Sequence, residues 1–117
     1  MKIAFIGLGR MGWHLAGHLA AAGHELSVFD IDADASQRWA AEFSGTAAAS
    51  IADAVADCAV VCSSVPADPQ LRSIWDAAQS SLAAGAIWID HSTTSAEIAR
   101  ELAAEATACG CSFIDAP

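Results

Sequence analysis

The sequence predicts an α/β fold in which one parallel sheet is covered by helices on both faces. Short apolar segments alternate with longer segments of helical periodicity along the chain, as in folds built from strand–helix–strand units. The apolar segments hold few polar residues, which is typical of strands buried on both faces. With 117 residues, 55% hydrophobic and 16% charged, the chain is expected to form one domain with a buried core.

Six segments are predicted as strands because they are short and largely apolar. They are residues 2–6, 25–29, 46–49, 58–62, 86–90 and 111–114. The segment 46–49 is expected to be a very short strand, whereas 58–62 is fully apolar and is expected to be buried.

Helices are predicted between the strands. They cover residues 11–22, 34–43 and 51–56, then 68 to about 82 and 94 to about 110. In the first, Met11, Leu15 and Leu19 follow helical spacing, and Gly23 is expected to end the helix.

Two helix starts carry recognisable caps. Asp68 followed by Pro69 fits an N-cap with proline at the first helical position. Thr94 and Glu97 have the spacing of a capping box, so Thr94 is expected to cap the last helix.

The chain is strongly acidic, with 5 Lys and Arg against 14 Asp and Glu and a net charge of −9. Such a surface repels phosphate backbones and anionic lipids, so neither a nucleic-acid nor a membrane partner is expected. Apolar runs are interrupted well before the ~18 residues that a membrane-spanning helix needs. No apolar signal region precedes the first strand, which favours a cytoplasmic location.

The four cysteines, Cys58, Cys62, Cys109 and Cys111, are expected to be free structural thiols. A zinc site is disfavoured because Cys58 and Cys62 fall within an apolar strand rather than on a turn. A disulfide is disfavoured by the reducing cytoplasm. In addition, the strands of Cys62 and Cys111 are expected two sheet spacings apart, about 9.6 Å.

One segment matches the G-x-G-x-x-G pattern of dinucleotide-binding turns. Its residues, all candidate cofactor contacts, are Gly7, Leu8, Gly9, Arg10, Met11 and Gly12. Gly7 permits the tight turn, Gly9 lets the backbone approach a pyrophosphate, and Gly12 lets helix and strand pack closely. Because the motif directly follows a strand and opens a helix, it predicts a Rossmann-like, doubly wound sheet with strand order 3-2-1-4-5-6. The positive end of that helix would attract the pyrophosphate.

Asp30 ends the second predicted strand, 18 residues after Gly12. An acid about 20 residues beyond the glycines binds the ribose hydroxyls in such folds and repels a 2′-phosphate. No Arg follows directly, so NAD is predicted as the cofactor ahead of NADP. The alternative is that Asp30 only caps the turn after the strand.

Two further loops follow strands on the same rim, where doubly wound folds bind ligands. Val65 and Pro66 are expected to line the adenine and ribose side, unless they form an ordinary connecting loop. The hydroxyls of Ser92 and Thr93 are expected to bind the nicotinamide end or a small acidic substrate. His91, on the same rim, is expected to be a neighbour of the cofactor site rather than a general base.

No metal site is expected. His14 and His18 lie four residues apart on the first helix but have no accompanying Glu-x-x-His pattern, so they are interpreted as a polar flank. The tryptophans are expected in the core or an interface rather than in a stacking platform. They are Trp13, Trp39, Trp75 and Trp88.

Taken together, the motifs resemble the 3-hydroxyisobutyrate dehydrogenase family of β-hydroxyacid dehydrogenases, related to 6-phosphogluconate dehydrogenase. The motifs are residues 6–12, 23–24, 65–66, 90–94 and 115–117. The resemblance implies that Val65 and Pro66 contact the cofactor and that Ser92 and Thr93 lie by the nicotinamide and the substrate carboxylate. It implies hydride transfer between a small hydroxy acid and NAD.

In that family a lysine in an all-helical second domain acts as general acid/base, and this domain would lie beyond Pro117. The only lysine here is Lys2, at the opposite end of the sheet, so no catalytic residue is expected in the chain. The chain is therefore interpreted as the cofactor half of an enzyme, inactive by itself. It is expected to form a homo-oligomer or to self-associate through exposed apolar surface.

Other functions remain open from the sequence. One is a non-catalytic NAD-binding module that senses NAD or regulates a partner. Another is part of an imine reductase, since those enzymes share the glycine signature. A third is a fragment that has lost binding.

Overall fold

The computed structural model describes all 117 residues as alternating strands and helices. The strands are β1 (Lys2–Ile6), β2 (Glu25–Phe29), β3 (Thr46–Ala47), β4 (Val60–Ser63), β5 (Ile87–Asp90) and β6 (Ser112–Asp115). The helices are α1 (Arg10–Ala21), α2 (Ala33–Phe43), α3 (Ile51–Val55), α4 (Asp68–Ala78) and α5 (Ala96–Ala108), with a 3₁₀ turn at Gln79–Ser81.

The six strands form one parallel sheet in the order β3-β2-β1-β4-β5-β6. This confirms the predicted doubly wound fold and its strand order. The order reverses between β1 and β4, where Ile6 pairs with Ser63 at the carboxyl ends of the two strands. The crevice expected of such folds therefore opens between the loops that follow β1 and β4.

Two apolar clusters fill the space between the sheet and its helices. The larger packs α3, α4 and α5 against one face and contains Trp75 and Trp88, with ring centroids 5.3 Å apart. The smaller packs α1 and α2 against the other face and contains Trp39. All three indoles are essentially fully buried, and Trp13 packs edge-on against Phe43 at the rim of the second cluster. Three of the four tryptophans thus belong to the core, as predicted, and Trp13 lies at its edge.

The predicted capping box of the last helix is wrong by one residue. Ser95, not Thr94, is the N-cap of α5, and its Oγ accepts a hydrogen bond from the Ile98 N–H at 3.2 Å. The physical reason is a tertiary contact, since the Asp68 carboxylate accepts from both the Ser95 N–H (2.9 Å) and the Ser95 hydroxyl (2.5 Å). This contact fixes Ser95 at the helix start.

The same contact corrects the interpretation of Asp68. The N-cap of α4 is Ala67, and Asp68 is the first helical residue, with Pro69 second. Its carboxylate bonds Ser95 on the neighbouring helix instead of its own backbone. These hydrogen bonds hold the pKa of Asp68 below its ordinary value.

The four cysteines are free thiols. Cys58 lies before β4 rather than within it, because Asp57 adopts a left-handed conformation with φ of 60° that delays the strand. Burial raises the pKa of Cys62 to about 11, so this thiol stays protonated near neutral pH and behaves as a small apolar residue.

Membrane-spanning helices and metal sites both bear on the possible partners of the chain. No helix combines the length and apolar character needed to cross a membrane. No group of three or more His, Cys, Asp or Glu side chains is close enough to hold a metal ion together.

An ion pair joins α4 to α5 at the surface. The Arg72 guanidinium donates to both oxygens of Glu105, at 2.6 and 3.0 Å, and Asp76 lies 3.2 Å from the same guanidinium. Glu105 Oε1 also accepts from the indole N–H of Trp75 at 3.1 Å. The hydrogen bonds from Arg72 hold the pKa of Glu105 below its usual value.

This ion pair predicts acid-dependent stability. Because the folded-state pKa of Glu105 is lowered, its contribution is complete above the unfolded pKa of about 4.3 and is lost as pH falls through the folded pKa. We expect Glu105→Gln to lower the free energy of unfolding by about 0.5–1 kcal/mol near pH 7, a modest value because the pair is partly exposed. Urea titrations of both proteins from pH 7 to pH 3 should show that difference shrinking.

Glu101→Gln is the matched control, since Glu101 is an exposed carboxylate on the same helix that makes no ion pair. It should show no such pH-dependent difference. A Glu105→Gln effect that stays constant across the pH range would contradict this account.

Candidate functional site

A cavity of about 760 Å³ lies at the carboxyl ends of β1, β2 and β4, at the point where the strand order reverses. Most of the predicted cofactor contacts line it. They are Gly7, Gly9, Arg10, Met11, Asp30, Val65 and Pro66. Three separate segments of sequence, the glycine turn, the end of β2 and the loop after β4, therefore meet around one space.

The three glycines of the turn meet different constraints. Gly7 has φ of 97°, and a Cβ there would collide with the carbonyl oxygen of Ser64. A Cβ on Gly12 would collide with the carbonyl oxygen of Gly7, so α1 packs directly on the turn. A Cβ on Gly9 would meet no atom within 4 Å, although Gly9 lines the cavity. Gly7 and Gly12 therefore allow close backbone packing, and Gly9 leaves space for a ligand beside the backbone.

The N-terminus of α1 faces the cavity with unshielded donors. Its N-cap is Gly9, no side chain caps it, and its first turn holds no acidic residue. Gly9, Arg10 and Met11 all line the cavity. The free backbone N–H groups, the positive end of the helix dipole and the Arg10 side chain together favour an anionic group such as a phosphate.

Asp30 links the glycine turn to the segment before α2. Its Oδ2 accepts from the Leu8 N–H at 2.7 Å, and its Oδ1 accepts from the Asp32 N–H at 2.9 Å. The backbone N–H of Asp30 donates to Ser36 Oγ at 2.9 Å. The carboxylate thus stabilises a turn, as the alternative interpretation expected, and also lines the cavity. Each carboxylate oxygen keeps a further lone pair that can accept from a ribose hydroxyl.

Four predicted contacts do not line the cavity. Leu8 is buried in the core, and only its backbone N–H contacts Asp30. Gly12 packs against the carbonyl group of Gly7, outside the cavity. Thr93 is exposed outside the cavity. Ser92 is 3% exposed, with a hydroxyl that donates to Asp90 Oδ1 and accepts from the Val65 N–H, each at 2.7 Å. A role of Ser92 and Thr93 in substrate binding stays a prediction.

The structure adds eight lining residues that the sequence did not reveal. They are Ile6, Phe29, Ile31, Ile51, Ser64, Gln70, Ser73 and Ile74. Gln70, Ser73 and Ile74 share one face of α4, and their spacing of three and four residues was a signal that could have been used. Ile31 is 98% exposed, and its position directly after Asp30 was a second signal. No local pattern marks Ile51, which reaches the cavity from the start of α3.

His91 lies close to the site without lining the cavity. Its ring stacks on Phe5 with centroids 6.4 Å apart, and its Nδ1 is 3.2 Å from the carbonyl oxygen of Ala116. Lys2 lies at the other end of the sheet, where its Nζ donates to the carbonyl oxygen of Ala56 at 3.3 Å. Neither residue is placed to act on a ligand in the cavity.

Known proteins have sequences similar to that of this chain. A family model described as the NAD binding domain of 6-phosphogluconate dehydrogenase matches residues 2–117. The chain is 36% identical to the 3-hydroxyisobutyrate dehydrogenase of Pseudomonas aeruginosa, over 98% of this chain and 39% of that protein. It is also 36% identical to the NAD-dependent L-serine dehydrogenase of that organism, over 99% of this chain and 40% of that protein.

Solved structures of oxidoreductases also superpose on this chain. The 3-hydroxyisobutyrate dehydrogenase of Mycobacterium tuberculosis with L-serine superposes with a TM-score of 0.92 and 35% identity, over 99% of this chain and 40% of that chain. A reductive aminase of Aspergillus terreus in complex with NADPH superposes with a TM-score of 0.86 and 25% identity, over 97% of this chain and 39% of that chain. The chain therefore spans roughly two fifths of the length of these relatives.

These similarities confirm the predicted resemblance to 3-hydroxyisobutyrate dehydrogenases, which are oxidoreductases. They also agree with NAD as the cofactor of the domain. Since the family model runs from Lys2 to Pro117, through every segment that surrounds the cavity, this chain belongs to the family of the NAD-binding domain of 6-phosphogluconate dehydrogenase.

Proposed function

We propose that the cavity binds NAD and that the chain is the cofactor-binding part of a dehydrogenase acting on a small hydroxy acid. The observation that carries this proposal is the glycine turn, which presents the uncapped N-terminus of α1 and the Asp30 carboxylate to the same cavity. When bound, NAD⁺ would accept a hydride from the carbon that carries the hydroxyl group, and NADH would return it to the corresponding carbonyl carbon. The relatives named 3-hydroxyisobutyrate dehydrogenase and L-serine dehydrogenase support a hydroxy-acid substrate.

The residues of the chain then divide the binding task. Gly9 and the first turn of α1 hold the pyrophosphate through backbone N–H groups, with Arg10 adding positive charge. Asp30 accepts hydrogen bonds from the ribose hydroxyls and disfavours a 2′-phosphate at the same place. Val65 and Pro66 form the opposite wall, and Ser92 and Thr93 lie beyond it on the rim of β5.

The proton-transfer step is assigned to a lysine outside residues 1–117, as the resemblance implies. This assignment is supported by the position of Lys2, the only lysine of the chain, at the other end of the sheet. It is also supported by relatives that are more than twice as long as this chain. The chain by itself is therefore proposed to bind the cofactor without turnover.

An imine-reductase function is the second candidate, favoured by the structural similarity to the reductive aminase in complex with NADPH. It would go with a preference for NADPH. A module that only senses NAD is the third candidate. A reading frame that ends at Pro117 would favour it, whereas continuation into Gly-rich and helical sequence would favour the enzyme.

A cytoplasmic location is part of the proposal. It is supported by four cysteines that are all free thiols, as expected in a reducing compartment.

Self-association of the chain is also part of the proposal. At the β6 edge, Ile87 and Ile114 are 39% and 48% exposed on one face of the sheet, next to the half-buried Ile89. Association of two copies would cover this apolar surface.

The first test is a titration of the chain with NADH and NADPH, followed by nicotinamide fluorescence. We expect saturable binding with a preference for NADH. Asp30→Asn should weaken NADH binding about 10-fold and NADPH binding less. The amide has a single acceptor oxygen, so it loses one of the bonds from Leu8 and Asp32 and accepts less well from ribose, and it repels a phosphate less. Asp34→Asn, a nearby exposed carboxylate outside the cavity, should leave both affinities unchanged. A wild-type preference for NADPH would contradict the role given to Asp30.

Gly9→Ala should separate binding from folding. Gly9 has φ of −67°, which any residue adopts, and its added methyl group would meet no protein atom within 4 Å. The melting temperature should therefore stay within about 2 °C of wild type, whereas NADH affinity should fall at least about 10-fold because the methyl group occupies pyrophosphate space. Unchanged affinity for NADH would place the pyrophosphate elsewhere.

The apolar surface can be tested by light scattering across a concentration series. The double variant Ile87→Thr/Ile114→Thr should shift the chain toward monomer, since it removes apolar side chains and keeps strand propensity. Ile31→Thr is the control, because Ile31 is exposed on another part of the molecule. A wild-type chain that is monomeric at all concentrations would exclude self-association.

A further inference from the structure

A buried chain of hydrogen bonds connects β4 and β5 to the backbone of the cavity wall. We propose that Asp90 and Ser92 are positioning residues, which hold the Val65 backbone at the cavity through the bonds from Asp90 to Ser92 and from Ser92 to Val65. The inference rests on the proposed function, since it assigns a task to residues behind that same site. It differs from the expectation that Ser92 contacts the substrate directly.

The side chains that form this series of hydrogen bonds are buried. Asp90 and Ser63 are 0% exposed, Trp88 is 1% exposed and Ser92 is 3% exposed. Asp90 Oδ1 accepts from Ser63 Oγ at 2.7 Å, from Ser92 Oγ at 2.7 Å and from the Ser92 N–H at 3.3 Å. Asp90 Oδ2 is buried without a partner. A buried polar oxygen without a partner costs free energy, so a role for Asp90 other than core packing is indicated.

The direction of every hydrogen bond follows from the two groups at its ends. The indole N–H of Trp88 can only donate, and it donates to Ser63 Oγ at 2.9 Å. The backbone N–H of Val65 can also only donate, and it donates to Ser92 Oγ at 2.7 Å. Each serine hydroxyl keeps its own proton for a further bond, and both donate it to the acceptor that lies between them, Asp90 Oδ1.

This direction sets what position 90 requires. The residue must present one buried oxygen that accepts from two hydroxyls. An asparagine can do this with its amide oxygen. Its NH₂ group, in the place of Oδ2, would be buried without an acceptor, so the melting temperature would fall while the bonds from the two serines remain. An alanine cannot, and it would leave both hydroxyls without their acceptor.

The bond to Val65 acts on the width of the cavity. Ser64 donates its N–H to the carbonyl oxygen of Ile6 at 3.0 Å, and its own carbonyl oxygen would lie only 2.1 Å from a Cβ on Gly7. Val65 and Pro66 come next and line the cavity. The loop is thus held on one side by β1 and on the other by Ser92. Loss of the Ser92 bond would free the wall that faces the glycine turn.

The test compares the backbone at Val65 with cofactor affinity. In Ser92→Ala, we expect amide hydrogen exchange at Val65 to rise about 10-fold or more while other strand amides keep their rates, and the Kd for NADH to rise about 10-fold. Asp90→Ala should reproduce both effects and also shift the indole N–H resonance of Trp88. Asp90→Asn should retain wild-type behaviour in all three measurements. Ser112→Ala, an exposed serine at the amino end of β6, is the matched control.

The possible outcomes separate the explanations. Higher NADH Kd in Ser92→Ala with unchanged exchange at Val65 would make Ser92 a direct ligand and overturn the proposal. Faster amide exchange throughout the sheet, with a lowered melting temperature, would show that Asp90 and Ser92 only stabilise the fold, and it would also overturn the proposal. If wild type binds neither NADH nor NADPH, the proposed function fails, and the positioning of a cofactor wall fails with it. Exchange at Val65, measured without cofactor, then still shows whether the hydrogen-bond chain holds the loop.

Discussion

Close backbone contact at the point where the sheet reverses its strand order is the constraint on which this domain depends. The loop after β1 lies against the loop after β4, so that Gly7 touches the Ser64 carbonyl, and α1 lies against Gly7 through Gly12. Side chains at these two positions would separate the strand, the helix and the neighbouring loop. The cavity keeps its shape because the loop after β4, the glycine turn and α1 meet with only backbone between them.

The charges around this contact are uneven, although the chain as a whole is strongly acidic. The chain carries −9 overall, but the end of α1 that faces the cavity has no acidic residue in its first turn, and Arg10 stands beside it. The acidic residues near the cavity, Asp30 and Asp32, follow β2 on the other side of the glycine turn. A ligand with an anionic centre and a hydroxyl-rich end fits this order of donors and acceptors.

The sequence was sufficient for the sheet order, since strand and helix periodicities were clear and the glycine motif tied β1 to α1. It was insufficient where a distant residue decides a local outcome. The start of α5 moved by one residue because Asp68, 27 positions earlier, bonds Ser95. Ser92 likewise looked available for a ligand, whereas its hydroxyl is occupied by Asp90 and by Val65, 27 positions away. The α4 face was missed because the spacing of Gln70, Ser73 and Ile74 shows that they share a face but not that this face turns toward the cavity.

The two hydrogen bonds of the Asp30 carboxylate have a thermodynamic consequence for ligand binding. Both oxygens are already held by the Leu8 and Asp32 amides, so the side chain keeps one orientation before any ligand arrives. Ordering a flexible side chain on association commonly costs about 0.5–1.5 kcal/mol. Preorganisation removes that entropic penalty here, so hydrogen-bond donors of a ligand that enters the cavity meet acceptors that are already in place.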